Sequence, residues 1–278
     1  MRGGFAMKHS FFSTTSICLL VCLAAMTGLT AADQGPPPET VAWLDVAGKP
    51  LPFQSPAEIT DALLGAEVKS RSKPKNDGLE GYEMLMLEHQ GAQFYALFRS
   101  ADNQSAMEMA AYELDRLLGL DMVPPTVERS IGDSPGAVQI WRGHAVTERD
   151  LDESGQLIPP NPTDFKQQGQ SMLLFDKLIA NSTRGPKTVL IDPSWKIWLV
   201  AHADAFEATS DLGNLIELTK CNRAVWERLK ELDKTTAKEA LEPYLDKKQL
   251  TKFISRQRKL IRHIQGMLND FGEEFVLF

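Results

Sequence analysis

The sequence has little cysteine, no excess of basic residues and only a short apolar run near its start. Three of the 278 residues are cysteine, and Cys18 and Cys22 lie within that run, so Cys221 alone remains for the folded protein. A lone cysteine excludes an internal disulfide and a cysteine metal cluster. Cys221 is not expected to act as a nucleophile, because it lies in a predicted helical stretch with no histidine nearby in the sequence.

The first 32 residues have the pattern of a cleaved signal peptide. Lys8 supplies a basic start, residues 17–26 are apolar, and small residues at 30–32 precede Asp33. The apolar run is about half of the ~20 residues that a membrane-spanning helix needs. We therefore predict cleavage near Asp33, a periplasmic or secreted protein, and no stable membrane insertion afterwards. The alternative is an uncleaved membrane anchor.

The mature chain is predicted to be acidic. The formal net charge is −7, and removal of residues 1–32 takes away two cations, Arg2 and Lys8, but no acidic side chain. Nucleic acid and anionic membranes carry negative charge themselves and bind basic surfaces. We therefore exclude nucleic acid as the main partner, which leaves a protein partner or a small-molecule ligand of unknown identity.

Strand patterns come before helical patterns along the chain. Two alternating runs, 82–87 and 93–99, meet at Gln90-Gly91 and predict a β-hairpin. A helix follows in which Ser105 and Glu108 have the spacing of a capping box, and Gly119 is its expected left-handed end. A short buried strand is predicted at 137–141.

The second half of the chain is predicted to be mainly helical. The predicted elements are a loop at 150–164, a helix from Ser171 to Asn181, a hairpin over 189–200, and helices at 222–232, 236–244 and 248–271. The basic run 256–263 is interpreted as the solvent face of the last helix. These patterns predict an α+β protein with a linker and N-terminal segment at 33–58, a strand-rich small lobe at 59–141 and a helical large lobe at 142–278.

Two segments together resemble the atypical kinases, namely the phosphatidylinositol 3-/4-kinase-like, HipA-like and secretory-pathway kinases. EMAAY at 108–112, with LLGL at 117–120, resembles the helix and following turn of their small lobe. FDKLIAN at 175–181 and HADAF at 202–206 resemble their catalytic and metal-binding loops. The resemblance extends from Ile59 to the C-terminus, is in the style of a degenerate bacterial member, and implies a protein-kinase-like fold of two lobes.

The resemblance implies specific residues for a nucleotide site. Kinases hold the phosphates with a strand lysine, which a helix glutamate orients. Arg99 stands at the lysine position and Glu108 at the glutamate position, with the alternatives that Arg99 is a surface residue and that Glu108 only caps its helix. Arg184 and His202 complete the expected cofactor-binding set, although a lone histidine such as His202 also fits a structural role.

Three positions depart from the chemistry that the family needs. Thr183 stands where the resemblance places the aspartate base, Thr188 where it places a metal-binding asparagine, and Ala201 where it places a metal-binding aspartate. These substitutions remove oxygen ligands and a proton acceptor. We therefore expect no catalytic residue at these positions, no Mg²⁺ site and no required cofactor, while ATP binding stays open.

Three functions are left open. The first is an exported pseudokinase that binds, scaffolds or regulates a protein partner. The second is an active but unconventional nucleotide-dependent phosphotransferase, in which a displaced acid such as Asp204 replaces the lost ligands; Glu207, Asp176 and Asp192 are further acids in these loops. The alternative for Asp204 is a solvated loop residue. The third is a module whose cleft binds another small molecule.

Overall fold

The computed structural model describes residues 42–101 and 104–278. The predicted signal peptide, 1–32, and the first part of the segment 33–58 lie outside the described residues, so cleavage and export stay predictions. Within the described ranges, the helices all lack the combination of length and apolar character that a bilayer crossing needs.

The small lobe is built on one antiparallel sheet. Its strands are β1 (Glu67–Ser72), β2 (Glu83–His89), β3 (Ala92–Ser100), β4 (Thr126–Glu128) and β5 (Gly136–Ile140). They are ordered β1-β2-β3-β5-β4, with every neighbouring pair antiparallel. The sheet places the end of β3, and therefore Arg99, beside β5.

The predicted hairpin is confirmed. β2 and β3 pair from Glu83 with Phe98 to His89 with Ala92, which leaves Gln90 and Gly91 as a two-residue turn. Both turn residues have positive φ, 51° and 76°. A two-residue turn of this type needs positive φ at both positions, which is why glycine suits one of them.

Two helices pack on this sheet. α1 (Pro56–Gly65) was not predicted; its N-terminus is closed by a capping box between Ser55 and Glu58. α2 (Ser105–Leu118) ends at Gly119 in the left-handed conformation, as predicted. The predicted capping box of α2 is wrong, because the helix follows Gln104 without a side-chain cap and the Glu108 side chain is buried.

The large lobe combines a small sheet with helices. The sheet is β6 (Val146–Thr147), β7 (Val189–Ile191) and β8 (Ile197–Leu199), in that order. The helices are α3 (Glu148–Glu153), α4 (Pro162–Ile179), α5 (Arg223–Glu231), α6 (Lys234–Leu241), α7 (Lys247–Phe271) and α8 (Glu273–Val276). The predicted hairpin over 189–200 and the three predicted helices after residue 222 are confirmed to within a few residues.

Three predictions about this lobe need correction. The predicted loop at 150–164 contains most of α3, and α4 begins at Pro162 rather than Ser171 because Asn161 caps it and proline suits a first helical position. The basic run 256–263 is not wholly a solvent face. Arg256 is fully buried, and its guanidinium donates to the carbonyls of Leu178 (2.8 Å) and Glu207 (3.1 Å).

The apolar core of the small lobe extends into the large lobe. The buried cluster of the small-lobe sheet continues through Leu190 and Trp198 of the large lobe. Arg142 lies at the junction, with its guanidinium carbon 4.4 Å from the Trp43 ring centroid and 5.0 Å from that of Trp198. The α+β architecture with a strand-rich small lobe and a helical large lobe is therefore confirmed.

Candidate functional site

A cleft of about 370 Å³ lies between the loop that precedes β2 and the loops of the large lobe. It contains five of the residues singled out from the sequence: Arg99, Thr183, Thr188, Ala201 and Asp204. Glu108, Arg184 and His202 do not line it, because their side chains lie in the interior behind it. The residues expected from the sequence therefore form two groups. Five line the cleft, and the other three are buried behind it; we call these three the buried support.

The buried support joins the small lobe to the large lobe. Glu108 on α2 accepts a hydrogen bond from the backbone N–H of His202 at 2.7 Å, and its other oxygen lies 3.1 Å from His202 Nδ1. The Tyr82 hydroxyl donates to the same carboxylate. Glu108 is 2% exposed and His202 fully buried. Glu108 therefore contacts a loop of the large lobe, whereas the family resemblance pairs this glutamate with a cation on a strand.

The charge state of this cluster follows from its contacts. Burial acts to raise the pKa of Glu108, but the hydrogen bonds and charge of His202 and the Tyr82 hydroxyl outweigh it, so the pKa lies below its ordinary value. Burial, followed by the Glu108 charge, raises the pKa of Tyr82 well above its ordinary value. Tyr82 therefore stays protonated and donates to an ionised Glu108.

Arg99 lies on the other side of Tyr82. Its guanidinium carbon is 4.8 Å from the Tyr82 ring centroid, and its Nη1 donates to the Glu80 carbonyl at 2.8 Å. Gly81 has a φ of 79°, which favours glycine, and a Cβ there would lie 1.9 Å from Arg99 Nη1 and displace the guanidinium. Tyr82 separates Arg99 from Glu108, and no ion pair joins those two among the described residues.

Arg184 supports the cleft wall from inside the large lobe. It forms a buried ion pair with Asp176 at 3.1 Å and donates to the carbonyls of Thr188 and Val200 at 3.0 and 2.5 Å. Asn181 donates to Asp176 at 3.1 Å. The guanidinium is thus fully engaged in holding the two loops together, and Asp176 is not available as a displaced acid.

The three positions that differ from the family pattern offer few oxygen ligands to a metal ion. Thr188 Oγ1 donates to the Gly185 carbonyl at 3.2 Å, and Thr183 Oγ1 donates to Asn181 Oδ1 at 3.1 Å. Ala201 has a φ of 62°, in the left-handed region that aspartate and asparagine adopt more readily than alanine. The backbone at Ala201 therefore has a conformation that suits the aspartate which the resemblance places there.

The acids near the cleft are arranged differently from one another. Asp204 is exposed and lines the cleft, whereas Asp192 is buried and accepts from Trp198 Nε1 at 2.9 Å and from Arg142 at 3.3 Å. Glu207 is exposed and does not line the cleft. Within 42–101 and 104–278, no three histidine, cysteine or acidic side chains are grouped so that they could hold a metal ion.

The loop between β1 and β2 contacts the large lobe, and the sequence analysis did not predict this contact. Asn76 donates to the Lys187 carbonyl at 2.6 Å. The Asp77 carboxylate pairs with Lys187 Nζ at 2.6 Å and with Arg149 at 3.1 Å. Two closely spaced glycines in this loop, Gly78 and Gly81, were the available sequence signal. A Cβ on Gly78 would lie 2.6 Å from Lys187 Cβ, so glycine permits this close approach.

A second cavity of about 620 Å³ lies on the other side of this loop. Its apolar lining comes from the small-lobe sheet, the connection after β5 and β7: Leu79, Met84, Tyr95, Trp141, Val146 and Leu190. Lys73, Lys75 and Arg149 add positive charge. The cavity therefore has an apolar lining with charged groups of both signs, since Asp150 also lines it.

This fold and the position of the cleft define a protein with a kinase-like fold. The solved structure of the Helicobacter pylori proinflammatory kinase CtkA is similar, with a TM-score of 0.51 over 75% of this chain and 98% of that one. The two sequences are 12% identical, so the similarity shows the fold alone. No protein family and no curated protein matches the sequence.

Proposed function

We propose that this chain is an exported pseudokinase-like protein of the atypical-kinase type, which binds, scaffolds or regulates a protein partner and does not transfer phosphate. The observation that carries the proposal is the cleft wall formed by Thr183, Thr188 and Ala201. Ala201 has no side-chain oxygen, and the Thr188 hydroxyl is engaged with Gly185. Phosphoryl transfer depends on charge stabilisation by metal ions, for which hard oxygen ligands are needed.

The buried residues support the same proposal. A kinase needs its helix glutamate to orient the cation that holds the phosphates. Here Glu108 is bound to His202 and Tyr82, and Arg99 is bound to the Glu80 carbonyl. The fold is thus held together by the residues that would otherwise organise a nucleotide.

Thermal shift and phosphotransfer measurements on the mature protein test this proposal. We expect no phosphotransfer to general protein substrates and no Mg²⁺-dependent or Mn²⁺-dependent tightening of ATP binding. Metal-independent ATP binding through Arg99 is compatible with the proposal. Ala201→Asp with Thr183→Asp is the positive comparison, because restored carboxylates should introduce metal dependence. Turnover by the wild-type protein would overturn the proposal.

An unconventional phosphotransferase is the second candidate, and Asp204 favours it. Asp204 is exposed and lines the same cleft as Thr183 and Ala201. If it has replaced the lost ligands, turnover will be present in the wild type and absent in Asp204→Ala. An exposed acid that does not line the cleft, Glu207, supplies the matched control as Glu207→Ala.

Export is tested separately. N-terminal sequencing of protein from cells should give a mature start near Asp33 in the periplasmic or secreted fraction. An intact N-terminus on cytoplasmic protein would contradict this part of the proposal.

A further inference from the structure

A second concave surface lies on the large lobe, between α6 and the first half of α7. We call it the α6–α7 groove; it has a volume of about 1130 Å³ and shares no lining residue with the cleft. Pockets for small molecules usually have volumes of about 300–1,000 Å³. The size of the groove therefore suits a peptide segment.

The lining of the groove divides into an apolar part and a basic part. The apolar part consists of Leu245, Leu250, Ile254 and Ile261. The basic part consists of Lys234, Lys238, Lys247, Arg258 and Arg262, all of them exposed. No aromatic side chain lines the groove, so it lacks the stacking platform that single-stranded nucleic acid uses.

Four of the five cations of the groove have no ion-pair partner within the described part of the chain. Only Lys238 has an ion pair, with Glu242 at 3.4 Å, and Glu242 is the single acid in the lining. From Lys247 to Leu268, α7 contains no aspartate or glutamate, although the whole chain has a net charge of −7. A surface that only keeps a helix soluble usually mixes both signs of charge.

The placement of these cations also disfavours their own helices. Lys234 and Lys247 stand at the first positions of α6 and α7, where the helix dipole is positive. Arg258 and Arg262 are four residues apart on one helix, as are Lys234 and Lys238, and like charges at this spacing repel. Cations at positions that disfavour the helix point to an anionic partner.

From these observations we propose that the α6–α7 groove binds an acidic amphipathic helix of a partner protein. The partner's apolar side chains would pack on Leu250 and Ile261, and its carboxylates would face Arg258 and Arg262. A concave surface with an apolar floor fits a helix better than a flat membrane surface. The inference rests on the proposed function, since it names the surface by which a pseudokinase-like protein would hold its partner.

A designed peptide tests the groove directly. The probe is a labelled amphipathic helix of about 18 residues, with leucine on one face and glutamate on the other, measured by fluorescence anisotropy with the mature protein. We expect saturable binding that weakens with salt. Arg258→Glu with Arg262→Glu should weaken it at least about tenfold, and Leu250→Ala should also weaken it. Lys248→Glu is the matched control, because Lys248 is exposed on α7 outside the lining.

Four results would overturn the proposal. Three of them are equal binding of a peptide with lysine in place of glutamate, binding that is unchanged in the Arg258/Arg262 variant, and binding to anionic lipid vesicles without binding to the peptide. A peptide of the same composition in scrambled order should bind more weakly. Equal binding of that peptide would show that charge alone drives the interaction and would also overturn the proposal. Phosphotransfer with intact peptide binding would overturn the proposed function but leave the groove in place.

Discussion

Glu108 of α2 and His202 of the large lobe form a two-point contact across the lobes. The His202 backbone N–H donates to one carboxylate oxygen at 2.7 Å, and the ring Nδ1 lies 3.1 Å from the other. Both side chains are almost completely buried. Glu108 therefore contacts a loop of the large lobe, and this contact helps to join the two lobes.

Removal of the Glu108 carboxylate should strongly destabilise the protein. In Glu108→Ala, the His202 amide and the Tyr82 hydroxyl lose their acceptor in a buried site, and we expect the free energy of unfolding to fall by about 3–5 kcal/mol. Equilibrium unfolding in urea measures the change. Glu113→Ala on the same helix removes only a partly exposed contact with Arg116 and should cost less than about 1 kcal/mol. Equal effects of the two substitutions would contradict the assigned role of Glu108.

Removal of Asp77 should strengthen anion binding in the cleft. The carboxylate pairs with Lys187 and Arg149, so Asp77→Ala leaves two cations without this partner. We expect ATP without added metal to bind several-fold more tightly, with the gain reduced at high salt because mobile ions screen exposed charges. Calorimetric titration at low and high salt gives the measurement. Asp61→Ala, exposed on α1, should leave affinity unchanged, and weaker binding by Asp77→Ala would contradict the prediction.

Glu148 should make stability depend on pH. Burial, with a smaller contribution from Asp152, raises the pKa of Glu148 to about 8 from an ordinary value of 4.5. Between these values the folded protein holds a proton that the unfolded chain has lost, so stability falls as pH rises through this window. Urea midpoints measured from acidic to alkaline pH should fall less for Glu148→Gln than for the wild type. Glu153→Gln, exposed on the same helix, is the control; parallel profiles for wild type and Glu148→Gln would contradict the assignment.

Local features of the fold followed from the sequence because their causes are local. The turn at Gln90-Gly91, the end of α2 at Gly119 and the long amphipathic α7 depend on backbone preferences and on the spacing of apolar residues. The predicted α4 is too short, because the first half of the helix is partly exposed and has no stripe of apolar residues that would indicate a helix. The order of strands and helices was sufficient to predict the α+β fold. The loop motifs were sufficient to identify five residues of the cleft lining: Arg99, Thr183, Thr188, Ala201 and Asp204.

The partners of the buried polar groups were decided only by the tertiary structure. Ser105 and Glu108 have the spacing of a capping box, but the folded protein places Glu108 in the interior, where an uncompensated charge would be costly and His202 and Tyr82 provide compensation. Likewise, Arg256 belongs to a basic run that reads as solvent-exposed, yet it is buried against carbonyls of other segments. Neither partnership can be seen in the sequence, because the interacting residues are distant along the chain and meet only when the lobes pack.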